Sequence, residues 1–260
     1  MPHMALQSRP AVIINADDLG RSESVNQAIL ESFELGLTTS ATIMANMPGF
    51  ADACSAVAAH RAEDRIGVHL NLTEGPPLSD RIRLCPRLCS PAGELGHEHR
   101  PIWRLTPDET KAIETELAAQ VDAVLASGIS PSHFDSHHHV HTQWPVSTIV
   151  MRIARRYGVS AIRLTRNCGP SPGLARQIYK TAFNARLARA GLAPTRHFGS
   201  AEDAASLVQF AGPVEIMVHP SLDNGGQVVD ITAGARRLED VAAYWRTIGT
   251  LVSYRELRDL

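Results

Sequence analysis

Short apolar runs alternate with amphipathic helical patterns along the whole chain, and this alternation is the strongest constraint on its fold. The first run, residues 11–16 (AVIINA), is bounded by a polar turn at residues 17–20, as expected of a strand buried on both faces. Ser22 then has the character of a helix N-cap, and Gly36 follows the last apolar residue at helical spacing. Repeated β/α units predict a parallel sheet, either closed as a barrel or doubly wound.

The clearest helical pattern begins at Thr106. Thr106 has the character of an N-cap, Pro107 follows at the first helical position, and Glu109 completes a capping box. Apolar residues then line one face until Gly128, which ends the pattern. Further strands are predicted at residues 39–44, 65–72, 132–136, 161–165, 196–198, 214–218 and 250–254.

Composition excludes several classes of protein. The chain has 260 residues, of which 44% are apolar and 20% charged, and its formal net charge is −2. These values are typical of a globular protein, and no basic run predicts nucleic-acid binding. No apolar stretch is long enough to span a bilayer, and the first residues lack the features of a secretory signal. We therefore expect a cytoplasmic protein with a single domain over residues 1–260.

Two segments stand outside the β/α pattern. Residues 1–10 are predicted to be disordered or, in part, left over from cloning. Residues 73–104 are rich in proline, glycine and charge, and they are predicted to form an inserted loop or lid on the substrate side. Trp103 in this segment is either exposed and available to stack on a ring of the substrate, or buried. Cys85 and Cys89 are spaced like half of a zinc site, but no second pair follows, which favours ordinary thiols.

The positions of polar residues favour the barrel over the doubly wound sheet. Polar side chains stand at or just after the carboxyl ends of different predicted strands: Asp17 and Asp18, His69, His137, Arg163 and His219. In a β/α barrel these ends converge on one face, where barrel enzymes place their chemistry. The chain has no GxGxxG after the first strand and no GxxxxGK[ST], which disfavours dinucleotide and P-loop sites.

Asp17 and Asp18 directly follow an apolar strand, where two carboxylates are costly unless a cation or hydrogen bonds compensate them. A metal ion can take one carboxylate as a ligand and leave its neighbour as a general base. The alternative is that Asp18 caps the following turn and Asp17 is merely exposed.

Four histidines fall within residues 137–141. Imidazole is a common ligand of divalent metals, and Asp135 is placed to orient one ring. If this segment is extended, His137, His139 and His141 share one face. The alternative is a polar loop in which the imidazoles only form hydrogen bonds.

Three further residues are candidates for the functional site. His69 alternates with apolar residues in a predicted strand, so it is either a ligand or a satisfied core histidine. His219 ends another apolar strand. Arg163 is suited to hold a carboxylate in its ionised state through a bidentate pair.

From about Val12 to the C-terminal region, the chain resembles the YdjC-like carbohydrate deacetylases, which include chitooligosaccharide deacetylases and hopanoid-associated relatives. The motifs that carry the resemblance are Asn15-Ala16-Asp17-Asp18-Leu19-Gly20, Gly67-Val68-His69-Leu70-Asn71-Leu72-Thr73, Asp135-Ser136-His137-His138-His139-Val140-His141 and Val218-His219-Pro220. The resemblance implies an α/β fold, a distorted β/α barrel related to the NodB-type polysaccharide deacetylases.

The resemblance also implies roles for single residues. It makes Asp18, His69 and His137 the ligands of one divalent ion. It makes Asp17 the general base and His219 the general acid, and it assigns Arg163, through a looser motif, to steadying the base. Ligand softness favours zinc, whereas the family also allows magnesium. Leu19 stands where the family usually has phenylalanine, which is a conservative change.

The implied reaction is hydrolysis of the N-acetyl group of an amino sugar or a chitooligosaccharide-like substrate, with release of acetate. One alternative is another metal hydrolase on a similar barrel, such as a phosphoesterase or a cyclic amidohydrolase. Two-metal phosphoesterases usually need more carboxylate ligands. A non-catalytic sugar-binding descendant is disfavoured because base, acid and all three ligands are present. A homodimer is the default expectation for a soluble enzyme.

Overall fold

The structure, a computed structural model, describes residues 9–96, 102–170, 173–206 and 211–259. Residues 1–8 of the N-terminal segment predicted to be disordered, and residues 97–101 of the predicted inserted loop, lie outside these ranges. Among the residues that are described, no helix is both long and apolar enough to cross a bilayer.

Strands and α-helices alternate through the described part of the chain. The strands are β1 (Ala11–Leu19), β2 (Ser40–Ile43), β3 (Ile66–Leu70), β4 (Phe134–Ser136), β5 (His197–Ser200), β6 (Val214–Val218), β7 (Pro220–Leu222), β8 (Val228–Asp230), β9 (Arg236–Arg237) and β10 (Thr250–Leu251). The helices are α1 (Glu23–Glu34), α2 (Phe50–Ala59), α3 (Asp80–Arg83), α4 (Pro107–Ala126), α5 (Trp144–Tyr157), α6 (Leu174–Arg189), α7 (Leu238–Ile248) and α8 (Tyr254–Arg258).

The main sheet is parallel and curls into a distorted barrel. Its strands lie in the order β4–β3–β2–β1–β6–β5, and β10 pairs with β1. Residues 161–168 bridge the two edges: Arg163 N donates to Phe134 O on β4 at 3.0 Å, and Asn167 N donates to Phe198 O on β5 at 3.0 Å. The prediction of an α/β fold with a distorted barrel is therefore confirmed.

The two faces of the sheet differ in character because neighbouring residues of a strand point to opposite sides. On β1, Val12, Ile14 and Ala16 point outward into the large apolar core beneath the helices. Asn15 and Asp17 point inward, and both are buried. The barrel interior is therefore polar near the carboxyl ends of the strands.

Tyr254, at the start of α8, closes the opposite end of the barrel. It packs in a small apolar cluster with Ile13 and Val252, and its ring stacks on His133 with centroids 3.7 Å apart. Gly67 makes this packing possible, because a Cβ atom there would lie 2.5 Å from the His133 ring.

A second, antiparallel sheet of β7, β8 and β9 follows β6 and was not predicted from the sequence. The β7–β8 hairpin brings Asp230, at the end of β8, next to His219, whose backbone N–H donates to Oδ1 of Asp230. The organisation of residues 1–260 as a single domain stays a prediction.

Candidate active site

Three of the predicted residues converge at the carboxyl end of the barrel. Oδ1 of Asp18 lies 3.2 Å from Nε2 of His69 and 3.0 Å from Nδ1 of His137. All three side chains are buried, and their ligand atoms are close enough together to hold a metal ion. Three segments supply them: the end of β1, the strand β3 and the turn after β4.

Backbone geometry explains how two consecutive aspartates both face this site. Asp18 has a φ of 71°, in the left-handed region that residues other than glycine seldom adopt. The pairing of β1 with β2 shifts register between Ala16 and Leu19, which marks a bulge at the aspartates. This local irregularity turns Asp18 back toward the barrel axis instead of the outer face.

The carboxylate of Asp18 has the character of a metal ligand. Its Oδ1 is buried and accepts no hydrogen bond from any described residue, although two imidazole nitrogens lie nearby. Burial alone would raise the pKa of Asp18, but His137 and His69 hold that pKa well below its ordinary value. An ionised oxygen left without a hydrogen bond between two imidazoles fits a bound cation.

The far nitrogens of both imidazoles contact carboxylates. Nδ1 of His69 lies 2.7 Å from Oδ1 of Asp135, and Nε2 of His137 lies 2.8 Å from Oε2 of Glu74. In the neutral form of each ring, the carboxylate accepts the N–H of the far nitrogen, and the near nitrogen is left with the lone pair that a metal ion requires. Such histidine–carboxylate pairs are common around metal ions. The residues present therefore fit a divalent ion.

Asp17 lies beside this cluster and is paired with Arg163. Nη1 and Nη2 of Arg163 donate to Oδ2 and Oδ1 of Asp17 at 2.7 and 2.6 Å. Burial would raise the pKa of Asp17, but Arg163, with smaller contributions from His69 and His219, holds it well below the ordinary value. Asp17 is therefore ionised at neutral pH.

Arg163 is fully buried and contacts two more carboxylates. Its Nη1 lies 2.7 Å from Oδ2 of Asp135, and its Nε donates to Oε1 of Glu215 at 2.7 Å. Burial would lower the pKa of Arg163, but these three carboxylates raise it well above its ordinary value. Tyr254 donates its hydroxyl to Oε2 of Glu215 at 2.5 Å. Burial raises the pKa of Glu215 to about 7.

His219 is half-buried at the end of β6, and a directional chain of hydrogen bonds orients its ring. The hydroxyl of Thr232 donates to Oδ1 of Asp230 at 2.8 Å, which uses its only hydrogen. Thr232 must then accept from Nδ1 of His219, 3.2 Å away. The proton is thereby placed on Nδ1, and Nε2 is left to take up or release a proton.

The predicted common face for His137, His139 and His141 is wrong. Residues 137–142 form a short 3-10 segment, and His138 and His139 adopt left-handed φ values of 51° and 54°. His139 packs edge-on against Phe198. His141 accepts from or donates to the Ser136 hydroxyl through Nδ1 at 2.5 Å, and its Nε2 lies 3.2 Å from the Arg163 carbonyl oxygen. Only His137 belongs to the Asp18 cluster.

Several contacts of the site were not predicted. Glu215 carried a usable signal, because it is a charged residue inside the apolar strand β6. Glu74, Thr232 and Tyr254 carried none, because each reaches the site through the path of a loop or a terminal helix. Trp103 is exposed at 76%, so the predicted alternative of a buried tryptophan is wrong.

A second cluster of possible ligands, Asp17, His69 and Asp135, shares His69 with the first. Arg163 already forms salt bridges with both carboxylates of this second cluster, at 2.6 and 2.7 Å. A metal ion bound to the same carboxylates would lie close to the guanidinium, and the two positive charges would repel each other. The described residues therefore offer one well-suited site, and Cys85 and Cys89 contribute to neither cluster.

Together, the fold and the site define an α/β-barrel enzyme with a buried carboxylate–imidazole centre at the carboxyl ends of its strands. The chain belongs to the YdjC-like protein family, whose profile matches residues 11–248. The predicted family is thereby confirmed.

Relatives with similar sequences are named carbohydrate deacetylases. One from Halalkalibacterium halodurans is 32% identical over 81% of this chain and 84% of its own length. One from Vibrio vulnificus strain YJ016 is 34% identical over 88% of this chain and 85% of its own. The match to one from Geobacillus stearothermophilus, at 40% identity, covers 61% of each chain, less than two thirds of that relative. These names confirm the predicted enzyme class, a deacetylase.

Solved structures share the fold. A protein from Enterococcus faecalis V583, provisionally named a cellobiose-phosphate cleavage protein, superposes with a TM-score of 0.73 at 24% identity. The match covers 96% of this chain and 99% of that one. A lactam utilization protein from Thermus thermophilus has a TM-score of 0.52 at 14% identity, and the match covers 94% of this chain and 99% of that one. Both similarities concern the fold alone.

Proposed function

We propose that this chain is a metal-dependent carbohydrate N-deacetylase that releases acetate from an N-acetylated amino sugar or a chitooligosaccharide-like substrate. The observation that carries the proposal is the convergence of Asp18, His69 and His137 on one point, with the ionised Asp17 next to them. The carbohydrate deacetylases among its relatives support the substrate class.

Asp18, His69 and His137 would hold the ion. Two imidazole nitrogens and one carboxylate oxygen suit zinc, and magnesium stays open. When bound, a divalent ion polarises the amide carbonyl and lowers the pKa of water. Side chains of the protein would carry out the proton transfers of the reaction.

Asp17 is placed to accept a proton from the attacking water, because its carboxylate is ionised and adjoins the ligand cluster. Arg163 fixes the orientation of Asp17 through two parallel hydrogen bonds. Water adds to the carbonyl carbon, and the C–N bond then breaks. His219 donates a proton to the departing nitrogen from Nε2, so the products are acetate and a free amine.

The decisive experiment measures acetate release from N,N′-diacetylchitobiose and a panel of N-acetyl sugars. Metal-stripped protein is assayed with zinc, magnesium, cobalt or nickel, and Asp17→Asn is assayed in parallel. We expect release only with added metal, and a loss of about 10²–10⁴-fold in kcat for the variant. Arg152→Gln is a matched control, since that residue pairs with Glu114 on the exposed surface.

Two outcomes would contradict the proposal. Near-normal turnover in Asp17→Asn would show that another group is the base. Absence of acetate from every sugar, in protein that binds one metal ion per chain, would keep the metal centre but reject these substrates. A phosphoesterase with two metals would instead bind two ions per chain. A homodimer stays a prediction.

A further inference from the structure

We propose that Glu74 is a positioning residue of the metal centre, which sets the orientation and the proton of His137 and thereby the affinity for the ion. The inference rests on the proposed metal centre. Glu74 lies in the loop after β3, outside the cluster of Asp18, His69 and His137. Its carboxylate touches the cluster at the ring of His137.

The contact with His137 has a defined direction. Oε2 of Glu74 lies 2.8 Å from Nε2 of His137, and an ionised carboxylate can only accept a hydrogen bond. In the neutral form of the ring, its one N–H proton is therefore on Nε2. Its Nδ1, 3.0 Å from Oδ1 of Asp18, is left with the lone pair that a metal ion requires.

Buried amides hold the backbone of Glu74 in place. Its carbonyl oxygen accepts from Nδ2 of Asn71 at 2.7 Å and from Nδ2 of Asn46 at 3.0 Å, and its N–H donates to Oδ1 of Asn71 at 3.1 Å. Gln120 of α4 in turn bonds both the N–H and the carbonyl of Asn71, at 2.8 and 2.7 Å. The loop is anchored to a long helix at this point, so Glu74 has a fixed position beside His137.

Arg21 links the carboxylate of Glu74 to that of Asp18. It donates from Nη2 to Oε1 of Glu74 at 3.0 Å, and its Nη1 lies 3.4 Å from Oδ2 of Asp18. This contact uses the oxygen of Glu74 that His137 does not use. Asp18, His137, Glu74 and Arg21 therefore form a closed ring that presets the ligand positions.

The structure thus gives each histidine ligand its own carboxylate. Asp135 serves His69 from a fully buried position in β4, whereas the side chain of Glu74 is 31% exposed in a loop. Replacement of a carboxylate that orients a metal-bound histidine typically weakens metal affinity about 10–100-fold. Glu74 can be replaced with less risk to folding than Asp135, since Asp135 also compensates the buried charge of Arg163.

The test measures Zn²⁺ binding by the full chain without any substrate. Metal-stripped wild type, Glu74→Gln, Glu74→Ala and Arg21→Gln are titrated with Zn²⁺ in competition with a chromogenic chelator. Glu94→Gln is the matched control, because Glu94 is an exposed residue of the same loop region. The absorption spectrum of the Co²⁺-loaded forms reports the geometry of the ligands. Thermal unfolding of the metal-free forms reports general damage to the fold.

We expect the Kd for Zn²⁺ to rise at least about 10-fold in Glu74→Gln and more in Glu74→Ala, with a changed Co²⁺ spectrum. Glu94→Gln should match the wild type, and the metal-free Tm of Glu74→Gln should be unchanged. Kd values within about twofold of the wild type for Glu74→Gln would overturn the inference, whether or not Glu74→Ala folds. If the wild type itself bound no Zn²⁺, the proposed metal centre would fail with it. If the wild type bound Zn²⁺ but released no acetate, only the proposed substrate would fail.

Discussion

A single residue, Arg163, connects the end of the barrel that carries the candidate site to the end that Tyr254 covers. It has no exposed surface, and it contacts Asp17, Asp135 and Glu215. Removing a guanidinium from water costs several kcal/mol, which its carboxylate partners must offset. The same carboxylates would be strongly destabilising without it. Arg163 is therefore as important to the folding of this barrel as to the orientation of Asp17.

Residue types predicted the site only where they stood out against an apolar strand. Asp17, Asp18, His69, His137, Arg163 and His219 all follow or interrupt apolar runs, and the structure brings them to one face of the barrel. Glu74 and Thr232 lie in polar segments, where a glutamate or a threonine is ordinary. Their contacts depend on how the loops return to the barrel, which residue patterns do not encode.

At the residue scale, we predict that the hydroxyl of Thr232 contributes to catalysis. Thr232→Val keeps the shape of the side chain but removes the hydroxyl that fixes the proton of His219 on Nδ1. We expect kcat for acetate release to fall about 10-fold or more with little change in KM, because substrate binding does not need that proton. Thr232→Ser should restore most of the activity. If kcat fell as far in Thr232→Ser as in Thr232→Val, the loss would come from the missing methyl packing and not from the hydroxyl.

Elements with strong local signals were predicted more accurately than those set by tertiary contacts. The predicted strand at residues 214–218 matches β6, and the predicted start of α4 is confirmed by its capping box. The predicted strand at residues 161–165 forms only one bridge, between Ile162 and Phe134. The chain there bonds to β4 at Phe134 and, a few residues later, to β5 at Phe198, so it forms no regular ladder with either strand.

At the scale of the element, the capping box of α4 offers a measurable contribution to stability. The hydroxyl of Thr106 accepts from the backbone N–H of Glu109 at 3.2 Å, and Oε2 of Glu109 accepts from the backbone N–H of Thr106 at 2.8 Å. We expect Thr106→Ala to lower the free energy of unfolding in urea by about 1 kcal/mol. Thr106→Ser keeps the hydroxyl and should stay within a few tenths of a kcal/mol of the wild type. An equal loss in both variants would show that the methyl group matters more than the cap.

The whole molecule combines an apolar shell with a polar axis. Helices cover the outer face of the barrel, while its interior holds a column of hydrogen-bonded charges from Asp17 through Arg163 and Glu215 to Tyr254. Three imidazoles, His133, His139 and His141, are packed around this column, and burial, together with the charge of Arg163, lowers their pKa values. These buried titratable groups make the stability of the molecule depend on pH.

Between pH 6 and pH 5 we expect the metal-free protein to lose stability as the pH falls. The three imidazoles take up protons in the unfolded chain, whose histidine pKa is about 6.5, but stay neutral when folded. Glu215 acts in the opposite sense, because its pKa of about 7 lets the folded state hold a proton that the unfolded state releases above about 4.5. His69, whose pKa is raised to about 10, is protonated in both states and contributes little.

The unfolded state therefore binds about two protons more than the folded state, which corresponds to about 2.7 kcal/mol per pH unit. Urea unfolding at several pH values, with a chelator present, measures this slope. Glu215→Gln removes the opposing proton and should steepen the slope to about 4 kcal/mol per pH unit. A slope that is flat or reversed in the wild type would show that the buried imidazoles are already protonated in the folded protein.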